Sequence, residues 1–166
     1  MFNSAQYGEE VTRILSLDGA GARLMPLTMS DCSSAEARRL IRVSTLPATL
    51  RAGLFFYFSC WTDAHEIAQN IDTPEGSYWH AMVHRQEPDA SNAGYWFRRV
   101  GDHTIFPVLR KLAAAKGLNF GLAWDPIAFV DYCVAARPGS EEERKAREVQ
   151  LAEWQLLFDH CARTAT

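Results

Sequence analysis

With 166 residues, 48% of them hydrophobic and 22% charged, the chain has the size and make-up of one globular domain with a sizeable core. Its formal net charge of −3 argues against nucleic acid as a partner, because phosphate binding draws on a basic excess. The longest apolar run, 52–58, falls far short of a membrane span, and the N-terminus shows no basic start before an apolar stretch. A cytoplasmic protein with no membrane partner is expected.

Residues 1–30 are expected to be irregular. Within them, Ile14-Leu15-Ser16-Leu17-Asp18-Gly19-Ala20-Gly21-Ala22-Arg23 resembles the Gly-rich oxyanion loop of patatin-type lipases. That family places its nucleophile on a downstream G-x-S-x-G elbow carried by parallel strands. This chain has neither, so the glycines read as a turn before Leu24-Met25-Pro26-Leu27.

Helices follow in close succession. Ser33 with Glu36 fits a capping box opening a helix over 34–43. Leu46-Pro47 punctuates, and 48–60 is an apolar helix whose Phe55-Phe56-Tyr57-Phe58 run belongs in the core. Ala64, Ile67, Ala68 and Ile71 fall at helical spacing over 63–71. Thr73-Pro74 pairs a cap with a first-turn proline and starts a helix to about 87. Asp89 caps another that ends before Gly101, and a further helix reaches Lys116, closed by Gly117. Asp125-Pro126 repeats the cap-then-proline pattern for a helix to about 136, and Pro138-Gly139 breaks it. Ser140 with Glu143 opens the last helix, to about 161, with Glu141-Glu142-Glu143 ahead of Arg144-Lys145 as the helix dipole favours.

No pair of strands is visible. The prediction is a single all-α domain over 1–166, a bundle of about eight helices. Asp63-Ala64 and Asn92-Ala93 occupy matching places in two hairpins, 29 residues apart (92 − 63). Tetratricopeptide-like hairpins have this plan, although their repeat is longer, about 34 residues; a plain antiparallel bundle is the alternative. The cysteines Cys32, Cys60, Cys133 and Cys161 show no short paired spacing and read as free, buried thiols without a disulfide.

The candidate site lies between Tyr78 and His103, where titratable groups crowd among large aromatics. On a helix, His80, His84 and Glu87 share one stripe at i, i+4, i+7, beside an apolar stripe of Trp79, Met82, Val83 and Gln86. In the next helix Ala93, Trp96, Phe97 and Val100 form the core stripe, while Asn92, Tyr95 and Arg99 line another face next to Arg98. These groups predict binding of a small polar or anionic molecule through His65, His80, His84, Glu87, Asn92, Tyr95, Arg98, Arg99 and His103. One of the two central histidines would act as acid or base, and an arginine fork would hold a carboxylate or phosphate. No catalytic residue or cofactor is identified.

A histidine pair four apart can also ligate metal, with Glu87, His65 or His103 completing the set. The spacing alone does not carry that assignment. His65-Glu66-Ile67-Ala68-Gln69 has Gln69 where the zincin helix needs a second histidine, so no metal is assigned. Two readings compete with a ligand site: a buried Arg–carboxylate and His network that ties the hairpins, and a helical groove that takes a peptide.

The segments Tyr78-Trp79-His80-Ala81, His84-Arg85, Glu87-Pro88-Asp89 and Ser91-Asn92-Ala93-Gly94-Tyr95-Trp96-Phe97-Arg98-Arg99-Val100-Gly101 resemble an uncharacterised family of helical, mostly bacterial proteins. The likeness extends to His65-Glu66-Ile67-Ala68-Gln69, Trp124-Asp125-Pro126 and Glu153-Trp154, about two-thirds of the chain, and leaves out the first ~45 residues. It implies a helical fold and no particular activity.

Overall fold

The computed structural model describes residues 2–164, and among them there are helices and no strands. A 3₁₀ turn at Ser4–Tyr7 leads into α1 (Glu9–Leu15), and a second at Gly19–Gly21 precedes a long irregular stretch. Then come α2 (Ala35–Val43), α3 (Ala48–Tyr57), α4 (Trp61–Ala68), α5 (Pro74–Gln86) and α6 (Ala90–Val100). The chain closes with α7 (Phe106–Ala115), α8 (Pro126–Ala135) and α9 (Glu141–Thr164). No helix of the described residues is long and apolar enough to cross a membrane.

Helix α5 is the axis of the bundle. Every residue from Gly76 to Gln86 is buried, so this helix has no solvent face. It packs against α3, α4, α6 and α8, while the long α9 lies across α3, α7 and α8. Its start follows from sequence: the Thr73 hydroxyl accepts from the Gly76 amide, and Pro74 sits where no amide hydrogen is needed. Asp89 caps α6 through the Asn92 amide, and Asp125 caps α8 through Ile127 and Ala128. The Ser140 hydroxyl accepts from the Glu143 amide at the start of α9.

A helix buried on all sides must satisfy its polar groups internally. Arg85 shows how. Its Nη2 donates to Glu153 Oε2 at 2.6 Å and to Gln150 Oε1 at 3.3 Å, both on α9. The Tyr78 hydroxyl donates to the other Glu153 oxygen at 2.9 Å, and the guanidinium lies over the Phe129 ring, 4.7 Å from its centroid. Both charges of the Arg85–Glu153 pair have fully buried side chains. Despite burial, the Glu153 carboxylate keeps the Arg85 guanidinium firmly charged, whereas burial beside that carboxylate pushes the Tyr78 phenol well above its ordinary range.

Several expectations are corrected. The cap of α2 is Ser34, which accepts from the Ala37 amide, and not Ser33, whose hydroxyl donates instead to Asp18. The expected irregular N-terminal stretch contains α1, with Val11, Ile14 and Leu15 buried on one side. The helix over 48–60 stops at Tyr57 because Ser59 takes a left-handed φ of 59°. The next helix therefore begins at Trp61, and Asp63 is no start signal. It is buried in the first turn of α4, where Arg38 Nε at 2.7 Å and Arg42 Nε at 2.6 Å donate to it.

The cysteine reading is overturned most clearly. Cys32 and Cys60 form a disulfide across 28 residues, and only Cys133 and Cys161 are free and buried. The pairing arises in space: the Ser33 amide donates to Phe58 O at 2.7 Å, which lays the strap before α2 along the break between α3 and α4. Spacing in the chain carries no trace of that contact.

Candidate functional site

Three histidines converge between α4 and α5. His80 and His84 stand one turn apart on α5, both buried, with their Nε2 atoms 3.0 Å apart. His65 of α4 meets them edge-on, its ring centroid 4.7 Å from His80 and 5.1 Å from His84. One ligating nitrogen from each histidine lies within 4.8 Å of the others.

Aromatic walls hold these rings. Trp61 stacks on His65 with centroids 5.0 Å apart, and its indole N–H donates to Val83 O at 3.0 Å, which ties α4 to α5. Trp96 of α6 covers His80 at 4.1 Å. Trp96 is therefore a partly buried wall of the histidine cluster rather than a fully enclosed core residue. Tyr95 is exposed against the edge of Trp96, and the exposed Arg99 guanidinium lies 5.3 Å from the Trp96 centroid.

The hydrogen bonding around His84 sets its proton. Glu87 Oε2 is 2.8 Å from His84 Nδ1, and a carboxylate only accepts, so Nδ1 carries the hydrogen and Nε2 keeps its lone pair. That lone pair faces His80 Nε2. A proton between the two nitrogens uses one lone pair; a metal ion uses both. The Asn92 side-chain nitrogen rests against the His84 ring, 3.2 Å from Nε2 and 3.3 Å from Nδ1. His80 Nδ1 is buried and has no partner. Burial, with His84 and His65 close by, pushes the His80 imidazole down to about 4. Burial and His84 lower His65 in the same direction. His80 and His65 thus favour the neutral imidazole, the form that ligates metal.

Of the residues expected from sequence, the structure brings His65, His80, His84, Glu87 and Asn92 together, with Tyr95 and Arg99 at the Trp96 edge. Arg98 is exposed and lies along its own helix near Gly94, outside the cluster. His103 is also elsewhere. It sits in the loop after α6 with Glu75 and His160, because Gly101, with a φ of 66°, turns the chain away at the end of α6. The Arg85 side chain runs away from the cluster to Glu153.

Sequence reasoning missed Trp61, Glu75 and His160. Trp61 had a signal, its i, i+4 spacing to His65 on one helix face. Glu75 and His160 are 85 residues apart and had none. No protein-family model, curated protein or solved structure matches this chain.

Proposed function

We propose that the protein binds a divalent transition-metal ion at His65, His80 and His84 and presents it to a small polar or anionic ligand. The observation that carries this reading is the convergence of three imidazoles, with His84 Nε2 facing His80 Nε2 across 3.0 Å. Tetrahedral zinc with nitrogen ligands at about 2.0–2.1 Å separates its donors by roughly 3.3 Å, close to the 3.0 Å between His80 and His84, with the His65 nitrogen within 4.8 Å.

Three protein ligands leave a fourth position for water or for an oxygen of the guest. Such an ion makes a bound water acidic or polarises a carbonyl or phosphoryl oxygen, which is the chemistry of hydration and hydrolysis. The outer groups support the assignment. Glu87 fixes the His84 tautomer and ring orientation, as carboxylates behind metal-bound histidines do. Arg99 and Asn92 supply a cation and an amide for an anionic or polar guest.

A second reading is a structural network on a tetratricopeptide-like scaffold that docks a peptide. It is favoured by one observation: Glu87 and Asn92 already satisfy His84 without an ion. Metal analysis separates the two. Protein freed of metal and dialysed against zinc should retain ion in a manner abolished by His84→Ala and His65→Ala. Retention unchanged in both variants would remove the metal reading and leave the scaffold.

A further inference from the structure

A second cluster of ligating side chains lies on the far side of α5. Glu75 precedes His84 by nine residues (84 − 75), roughly two and a half helical turns, so the two point in opposite directions. Glu75 Oε1 is 3.1 Å from His160 Nε2, near the end of α9, and 3.8 Å from His103 Nε2, in the loop before α7. All three ligating atoms lie within 4.8 Å of one another. The two imidazoles meet edge to face with centroids 4.9 Å apart.

The independent sign of a ligand is His103. Its side chain is 4% exposed, and Nε2, aimed at Glu75, is buried without a hydrogen-bond partner. A polar atom left bare in the interior costs free energy unless something fills its place. The 3.8 Å gap to the carboxylate is too long for a hydrogen bond and suits two atoms that share an ion. A metal at Nε2 moves the ring proton to Nδ1. The contacts given up are the long 3.4 Å approach of the Ile105 amide to that atom and the 3.1 Å His160 Nε2–Glu75 Oε1 hydrogen bond, whose place the ion takes.

Two histidines and one carboxylate are a donor set for zinc-class ions, with a further position free. His103 also lines a cleft of about 340 Å³ whose walls include Phe106, Arg110 and Trp124. We propose that Glu75, His103 and His160 form a second divalent transition-metal site, separate from the His65–His80–His84 centre. The ion joins the start of α5, the loop before α7 and the end of α9. The cleft beside it has mostly apolar walls, with Asp102 and Arg110 as its charged groups, suited to a guest with an apolar body.

The test is stoichiometry. Metal-free protein is titrated with zinc chloride by calorimetry, and bound zinc is measured after dialysis. Two ions per chain are expected. His160→Ala should lose one ion and keep the other; Glu75→Gln should do the same. His84→Ala should lose the other ion and keep this one. His160 is partly exposed, so its variant retains the fold, which circular dichroism verifies. Wild type that binds a single ion lost in His84→Ala overturns the second site while sparing the first. Unchanged zinc content in both His160→Ala and Glu75→Gln also overturns it.

Discussion

His84 Nε2 faces His80 Nε2 at 3.0 Å across one turn of α5, while His84 Nδ1 is held by Glu87 at 2.8 Å. The inner pair is therefore fixed from outside, and an ion entering between the rings meets a prepared nitrogen. Zinc at about a hundred times its dissociation constant should stabilise the fold by about 2.7 kcal/mol, by linkage. A thermal melt with and without zinc, then with chelator, checks this. The rise should disappear with chelator and be diminished in His84→Ala; an equal rise in wild type and variant would speak against this centre.

Acid should destabilise the metal-free protein through the same histidines. The native His80 imidazole titrates at about 4, below the ordinary value of 6.5 that applies in the unfolded chain. Between those values the unfolded chain binds more protons, so stability rises with pH. The contribution is complete above about pH 6.5 and is lost as pH falls towards 4. His65 and His103 shift in the same direction. Urea midpoints measured from pH 7.5 to 5 should fall, and His80→Gln should flatten the slope. A slope unchanged in the variant would show that His80 is not the titrating group.

Arg85→Met should destabilise by roughly 3–5 kcal/mol, because it strands the buried Glu153 carboxylate. The double variant Arg85→Met, Glu153→Leu should recover much of that loss, since neither charge is then left alone. Denaturant unfolding of the two single variants and the double gives the coupling directly. Additive losses would mean the pair does not interact in solution.

Thiol titration of the denatured, unreduced protein should find two reactive thiols, Cys133 and Cys161, and four after reduction. On the chain-entropy view, reduction should cost roughly 3–4 kcal/mol for a loop of this length. Four thiols before reduction would contradict the pairing.

Trp96→Ala should cost roughly 1–3 kcal/mol, less than emptying a fully enclosed aromatic site, because Trp96 is only partly buried. It should also loosen the His80 ring that it covers. An NMR titration of the histidine signals should show His80 moving up towards its ordinary range. An unmoved His80 would mean that Trp96 does not set its environment.

The helices were legible because their ends are written in local chemistry: Thr73-Pro74, Asp89 and Asp125-Pro126 each cap where they were expected to. Central burial of α5 was not, since its polar residues His80, His84, Arg85 and Gln86 are buried along with the apolar ones and a polar stripe reads as a solvent face. The His80–His84 stripe was readable from spacing. The arrival of His65 depended on the left-handed Ser59 that swings α4 onto α5, and no local pattern announces it. Cys32–Cys60, Glu75–His160 and Arg85–Glu153 share one trait. Each joins residues far apart in the chain, where sequence periodicity has nothing to say.

The Arg85–Glu153 pair has a consequence for how this protein tolerates change. Apolar side chains grip one another almost equally well after a small twist, so a greasy contact between α5 and α9 would let α5 roll about its own axis. A doubly anchored carboxylate, held by Arg85 and Tyr78 at once, permits one angle only. His84 directly precedes Arg85, and His80 lies two residues beyond Tyr78, so any roll of α5 would swing both imidazoles off their common point. The interior polar pair works as an angular key. Variants that swap it for apolar residues should show broadened, heterogeneous ring signals from His80 and His84.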